Sequence, residues 1–156
     1  MNRLRDSTEV KEAAELLGAL WRDAAAEAGG RGRGARLEQA LASLCTRGGF
    51  KHAVVVDQQG LLLAAHNVRV ESGAAAAFTT MAAECLERTQ RLLEAPAANR
   101  LSVDLDLVDR AVTHRFVVDD LPYYLTVACG QDVEERGDVE LSIEQLAALI
   151  RGRGGP

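Results

Sequence analysis

The side chains able to do chemistry are few and scattered. Histidine occurs at His52, His66 and His114, and none has a second histidine or cysteine two to four residues away. The spacing of a metal site is therefore missing. His114 alternates with Val112 and Phe116 and reads as a partly buried strand residue. Cys45, Cys85 and Cys129 lie far apart inside apolar patterns, which suits structural thiols rather than a metal knuckle or disulfide framework. Asp57 and the pair Asp119-Asp120 fall where turns are expected, and Asp104 and Asp106 share the polar side of one strand. No P-loop, nucleophile elbow or HExxH is present. Intrinsic catalysis, a metal and a cofactor are not expected. If the chain acts on another protein's chemistry by inserting a cation, Arg88, Arg91 and Arg115 are the ordered candidates.

The positioning elements start from the longest helical pattern, Glu71 to Ala95. Phe78, Met81, Ala82, Cys85, Thr89 and Leu92 recur at three- and four-residue steps, and this stripe is expected to seek the core. Ala74 to Ala77, with Ala82 and Ala83, leave flanks almost without side chains. A second backbone is expected to come close there.

Ser7 or Thr8 can cap an N-terminal helix whose stripe runs Val10, Ala13, Ala14, Leu17, Leu20, Trp21 and Ala24. Such a helix is marginal alone, so the stripe is expected to dock, on its own domain or on a partner. Gly29 to Gly34, GGRGRG, reads as a helix stop and linker; no strand precedes it, so it is not a dinucleotide loop. A second helix is expected over Ala35 to Arg47, closed by Gly48-Gly49.

The period then changes to that of strands. FKHAVVVD at Phe50 to Asp57, a QQG turn and LLLAAH at Leu61 to His66 make a hairpin. Pro96 ends the long helix. Leu101 to Val108 alternates, with Leu101, Val103, Leu105 and Leu107 on one face, and Ala111 to Val118 and Tyr123 to Cys129 complete an antiparallel meander. A last helix is expected from about Val139 to Ile150, with Leu141, Ile143, Leu146, Ala147 and Ile150 turned inward.

These elements predict an α+β sandwich. A five-stranded antiparallel sheet carries the long helix on one face and the N- and C-terminal helices on the other, with an extra N-terminal helix. The expected division is an amphipathic extension over residues 1–30, one domain over 31–152 and a tail over 153–156. Net charge is −5, and cations cluster only in RGRGAR and RGRGG, so specific nucleic-acid binding is not expected. No apolar run is long enough to insert in a membrane and no secretory signal opens the chain. A cytoplasmic location is expected.

From Ala35 to Ile150 the chain resembles the Roadblock/dynein light chain superfamily, of bacterial type. The likeness rests on Phe50, Val54 to Asp57, Gly60 to Ala64, the AAAAFTTMAAE helix and the three-strand meander. Proteins of this kind are typically non-catalytic homodimers, their long helices packed antiparallel and the following strands paired into a ten-stranded sheet. Many bind small Ras-like GTPases as adaptors or regulators. The resemblance implies a dimer interface at Ala74, Ala77, Phe78, Met81, Ala82, Cys85, Leu101, Val103 and Leu105. A partner would meet Glu84, Arg88 and Arg91, together with Leu17 and Trp21 of the extension. The extension lies outside the usual domain, which leaves a second reading: an adaptor that recruits a non-GTPase partner through the Trp21 helix.

Overall fold

The computed structural model describes residues 30–68 and 72–152. The elements are α1 (Gly30–Gly48), β1 (His52–Val56), β2 (Leu62–His66), α2 (Ser72–Leu92), β3 (Arg100–Asp104), β4 (Asp109–Val118), β5 (Leu121–Gly130) and α3 (Arg136–Ile150). The five strands form one antiparallel sheet in the order β2-β1-β5-β4-β3, so β2 and β3 are its edges. The sandwich expected from the periodicity is the one observed. The extra N-terminal helix, with Leu17 and Trp21, lies outside the described residues.

Alternation splits the sheet into two unequal cores. Ala53 and Val55 of β1, Leu125, Val127 and Cys129 of β5, and Val112 and Phe116 of β4 point to one side. There they meet Leu37, Leu41 and Leu44 of α1 and Val139, Leu146 and Ile150 of α3, all buried. The other side is thinner: Val54, Val56 and Tyr124 lie under Ala76 and Leu86 of α2.

The inner face of α2 is built from Ala75, Ala76, Thr79, Ala82, Ala83 and Leu86. Its small side chains bring the helix close to the sheet, where a hydroxyl chain joins them. Thr113 and Thr126 hydroxyls lie 2.7 Å apart, Thr126 and Thr79 2.8 Å apart, and Thr79 donates to the Ala75 carbonyl at 2.9 Å. Each hydroxyl has one proton, so the chain runs in one direction, from Thr113 through Thr126 and Thr79 to the carbonyl.

Four sequence expectations are corrected. The stripe of Phe78, Met81, Cys85 and Leu92 does not seek the core: Met81 and Leu92 are 64% and 79% exposed. The alanines seek it instead, because only small residues let α2 lie against β1 and β5. The RGRG segment is not a linker but the first turns of α1, and the Arg33 guanidinium donates to the Ile150 carbonyl at the end of α3. The strand expected over Leu101 to Val108 stops at Asp104, because the Asp106 carboxylate accepts the Val108 and Asp109 amides at 2.7 Å each and holds a turn. In α3, Leu141 is exposed and Val139 and Ser142 take the inward positions.

The β1–β2 turn depends on Gly60. Its φ is +81°, and a Cβ added there would stand 2.6 Å from the Thr80 hydroxyl of α2. Gly60→Ala is expected to destabilise the fold by about 1–3 kcal/mol, read as a lower urea midpoint with an unchanged slope.

Candidate functional site

Two exposed features lie side by side. The first is the outer face of α2, which turns roughly a third of a revolution away from the buried face. Phe78 is half-buried there, and Ala74, Ala77, Met81 and Cys85 are exposed. Met81, Cys85, Thr89, Leu92 and Leu93 line a shallow groove whose rim carries Glu84 and Arg88. Arg91 is exposed further round the helix. Ala82, expected on this face, is only 3% exposed and packs inward, so it belongs to the chain's own core.

The second feature is β3, which among the described residues bonds to β4 alone. Leu101 and Val103 are half-buried, on the α2 side of the sheet, while Ser102 and Asp104 are exposed. Leu105, expected to continue this strand, lies in the turn and is 56% exposed. Leu107 and Val108 of the same turn are 98% and 67% exposed. An unpaired edge beside an apolar helix face is a surface that invites association.

The residues able to do chemistry do not converge here. Asp57 accepts the Gln59 and Leu61 amides at 2.8 and 2.9 Å and serves its turn. Burial pushes the Cys45 thiol up to about 11 and raises Cys129 as well, which leaves both protonated and inert at neutral pH. Cys85 is exposed on the outer face of α2. Arg115 is half-buried on β4, while Tyr124 on neighbouring β5 donates to the Glu87 carboxylate of α2 at 3.2 Å. Among the described residues no three His, Cys, Asp or Glu side chains gather as a metal would need.

Sequence reasoning missed the main polar cluster. Glu135, immediately before α3, is fully buried on the α1/α3 side of the sheet. Arg100 of β3 donates to Glu135 Oε1 through Nε at 2.5 Å, and its Nη2 pairs with the same oxygen. Arg110 Nη2 and His114 Nε2, both on β4, approach the carboxylate at 3.7 and 3.6 Å. A signal was present: Arg110 and His114 alternate onto one strand face, and an inward arginine demands an acid. Only Arg100, opposite His114 in the β3–β4 ladder, and the distant Glu135 complete the set.

Burial raises the Glu135 carboxyl, but Arg100 and then Arg110 outweigh it and hold the group below its ordinary 4.5. Burial also holds His114 below its ordinary 6.5, with Glu135 opposing and Arg100 reinforcing the shift. His52 is lowered by burial and by Lys51. In all three cases the unfolded chain binds the proton more readily than the folded one. These contributions are therefore present in full above about 6.5 and decline as pH falls, first through the histidines and then, below about 4.5, through Glu135.

The chain has the Roadblock/LC7 fold. Among solved structures it resembles MglB of Myxococcus xanthus, with a TM-score of 0.59 at 14% identity over 75% of this chain and 86% of that one. It also resembles the Roadblock/LC7 domain from Streptomyces avermitilis, with a TM-score of 0.59 at 15% identity over 74% of this chain and 95% of that one. A structure of MglB in a tetrameric arrangement matches with a TM-score of 0.57 at 18% identity, covering 77% of this chain and 89% of that one. No family model and no curated protein matches the sequence. Among the described residues no helix is long and apolar enough to cross a membrane.

His114→Gln is expected to flatten the upper part of the acid response: between about pH 7 and 5 its urea midpoint should fall less than that of the wild type.

Proposed function

We propose that this chain is a non-catalytic, homodimeric scaffold that binds a small Ras-like GTPase, or its effector, in bacterial signalling or polarity control. The observation that carries the reading is the exposed apolar face of α2 beside the unpaired edge of β3, on a Roadblock fold. A second copy would bring α2 against α2 and β3 against β3, covering Phe78, Met81 and Cys85 of each chain and pairing both edges. Leu101 and Val103 extend that surface on the α2 side of the sheet. Ala74 and Ala77 border it, and the small side chains allow close approach.

The solved MglB in a tetrameric arrangement supports self-association as a property of this fold. The GTPase follows from the resemblance to Roadblock proteins. Glu84, Arg88 and Arg91, exposed along α2, offer the charged positions that such a partner would meet. Asp57 serves its turn, Cys45 and Cys129 are buried, and His114 and Glu135 meet on the side of the sheet away from the seam, which supports a role without chemistry of its own.

Light scattering at micromolar concentration should find a dimer. Met81→Arg would place an unpaired charge in the seam and weaken self-association by more than about a hundredfold, with the fold intact because Met81 makes no part of the monomer's core. Capture with GDP and with a non-hydrolysable GTP analogue tests the partner. A GTPase retained in one nucleotide state supports the reading. A monomeric wild type rejects it, and a dimer whose partner ignores nucleotide and is lost on deleting residues 1–29 moves the function to an adaptor working through Leu17 and Trp21.

A further inference from the structure

The strand offered for pairing is the least supported of the five. Among the described residues β3 pairs with one neighbouring strand only, and none of its five residues is fully buried. Packing alone does little to hold it. Its ladder to β4 runs from Arg100 to Asp104, and residues 131–135, between β5 and α3, add a grip at both ends. At the start of β3, Arg100 lies on the buried Glu135 carboxylate, Nε to Oε1 2.5 Å. At its end, the Gln131 side-chain amide donates to Asp104 Oδ1 at 2.9 Å and to the Asp106 and Asp109 carbonyls at 3.1 and 3.2 Å. Between them Arg110 of β4 donates to the Val133 carbonyl at 2.5 Å.

A buried carboxylate is a poor source of net stability, because desolvation offsets most of its attraction. Here Glu135 Oε2 and His114 Nε2 also lack hydrogen-bond partners. What the cluster specifies is geometry: the acid belongs to the approach to α3 and its cations to the last two strands of the sheet. The distance between α3 and the free edge is thereby fixed.

We infer that residues 131–135 form a clasp that sets the position of β3, and that this clasp regulates the pairing of β3 with a second copy. The inference rests on the dimeric reading above. Release of Glu135 or Gln131 would loosen the dimer without touching α2, so the side of the sheet opposite the apolar seam controls the seam.

The test compares the full-length wild type with Glu135→Gln, Gln131→Ala and the control Glu134→Gln, an exposed neighbour. Hydrogen exchange of residues 100–104 and the dimer dissociation constant are measured on each. The first two variants should exchange roughly tenfold faster in β3 with β1 and β5 unchanged, and should dissociate roughly tenfold more readily. The control should match the wild type. Unaltered exchange in β3, or acceleration shared equally by β1 and β5, overturns the clasp. A dimer constant unmoved by a selectively loosened β3 overturns its regulatory role. Gln131 is exposed, so its variant decides the matter if Glu135→Gln does not fold. A wild type monomeric at every concentration defeats the dimeric reading, and β3 exchange then still decides whether the clasp exists.

Discussion

The close approach of α2 to the sheet is the constraint on which the rest of the structure depends. A helix can lie this near a sheet only if its inner side chains are small, and Ala75, Ala76, Ala82 and Ala83 meet that condition. The hydroxyls of Thr79, Thr126 and Thr113 fill what the alanines leave, and they satisfy one another and the Ala75 carbonyl rather than water. Once the small face is committed inward, with Leu86 the one bulky side chain it carries, Met81 and Leu92 are left facing out. Met81, Cys85 and Leu92 form an apolar face that the described residues leave exposed. The same steric rule thus produces the monomer's packing and the surface on which its function is proposed to rest.

The two sides of the sheet divide the work unequally. Leucines of α1 and α3 build the large core and contribute most of the hydrophobic stability. The α2 side buries less and leaves the helix's outer face open. On the α1/α3 side, at the β3 edge, lies the polar cluster where Glu135, Arg100, Arg110 and His114 meet. Buried charge of this kind contributes position more than stability, since desolvation consumes most of the Coulombic gain. The edge strand is therefore held by its ladder to β4 and by directional contacts at its ends more than by burial.

Much of the fold was legible from spacing. The period-two runs at Phe50–Asp57, Leu61–His66 and the three-strand meander, with Gly60 and Asp119-Asp120 as punctuation, specified the strands and their order. The two aspartates adopt φ values of 51° and 66°, both positive, as a two-residue hairpin requires. The candidate site was legible in part. Ala74, Ala77, Phe78, Met81 and Cys85 share an accessible helix side, whereas Ala82 was assigned outward and packs inward. Periodicity shows that a helix has two faces but not which one a sheet accepts, because that choice turns on the depth of the space beneath it.

Local chemistry alone determined the element types, the turns and the absence of metal-ligand spacing among the histidines and cysteines. Side-chain alternation and turn geometry are properties of neighbouring residues, so the chain carries them before it folds. Tertiary structure decided the direction in which α2 faces, the extension of α1 back through Gly30 and the pairing of Glu135 with cations on two strands. Each depends on the approach of segments far apart in the chain, where available depth and the balance of desolvation against charge attraction select the contact.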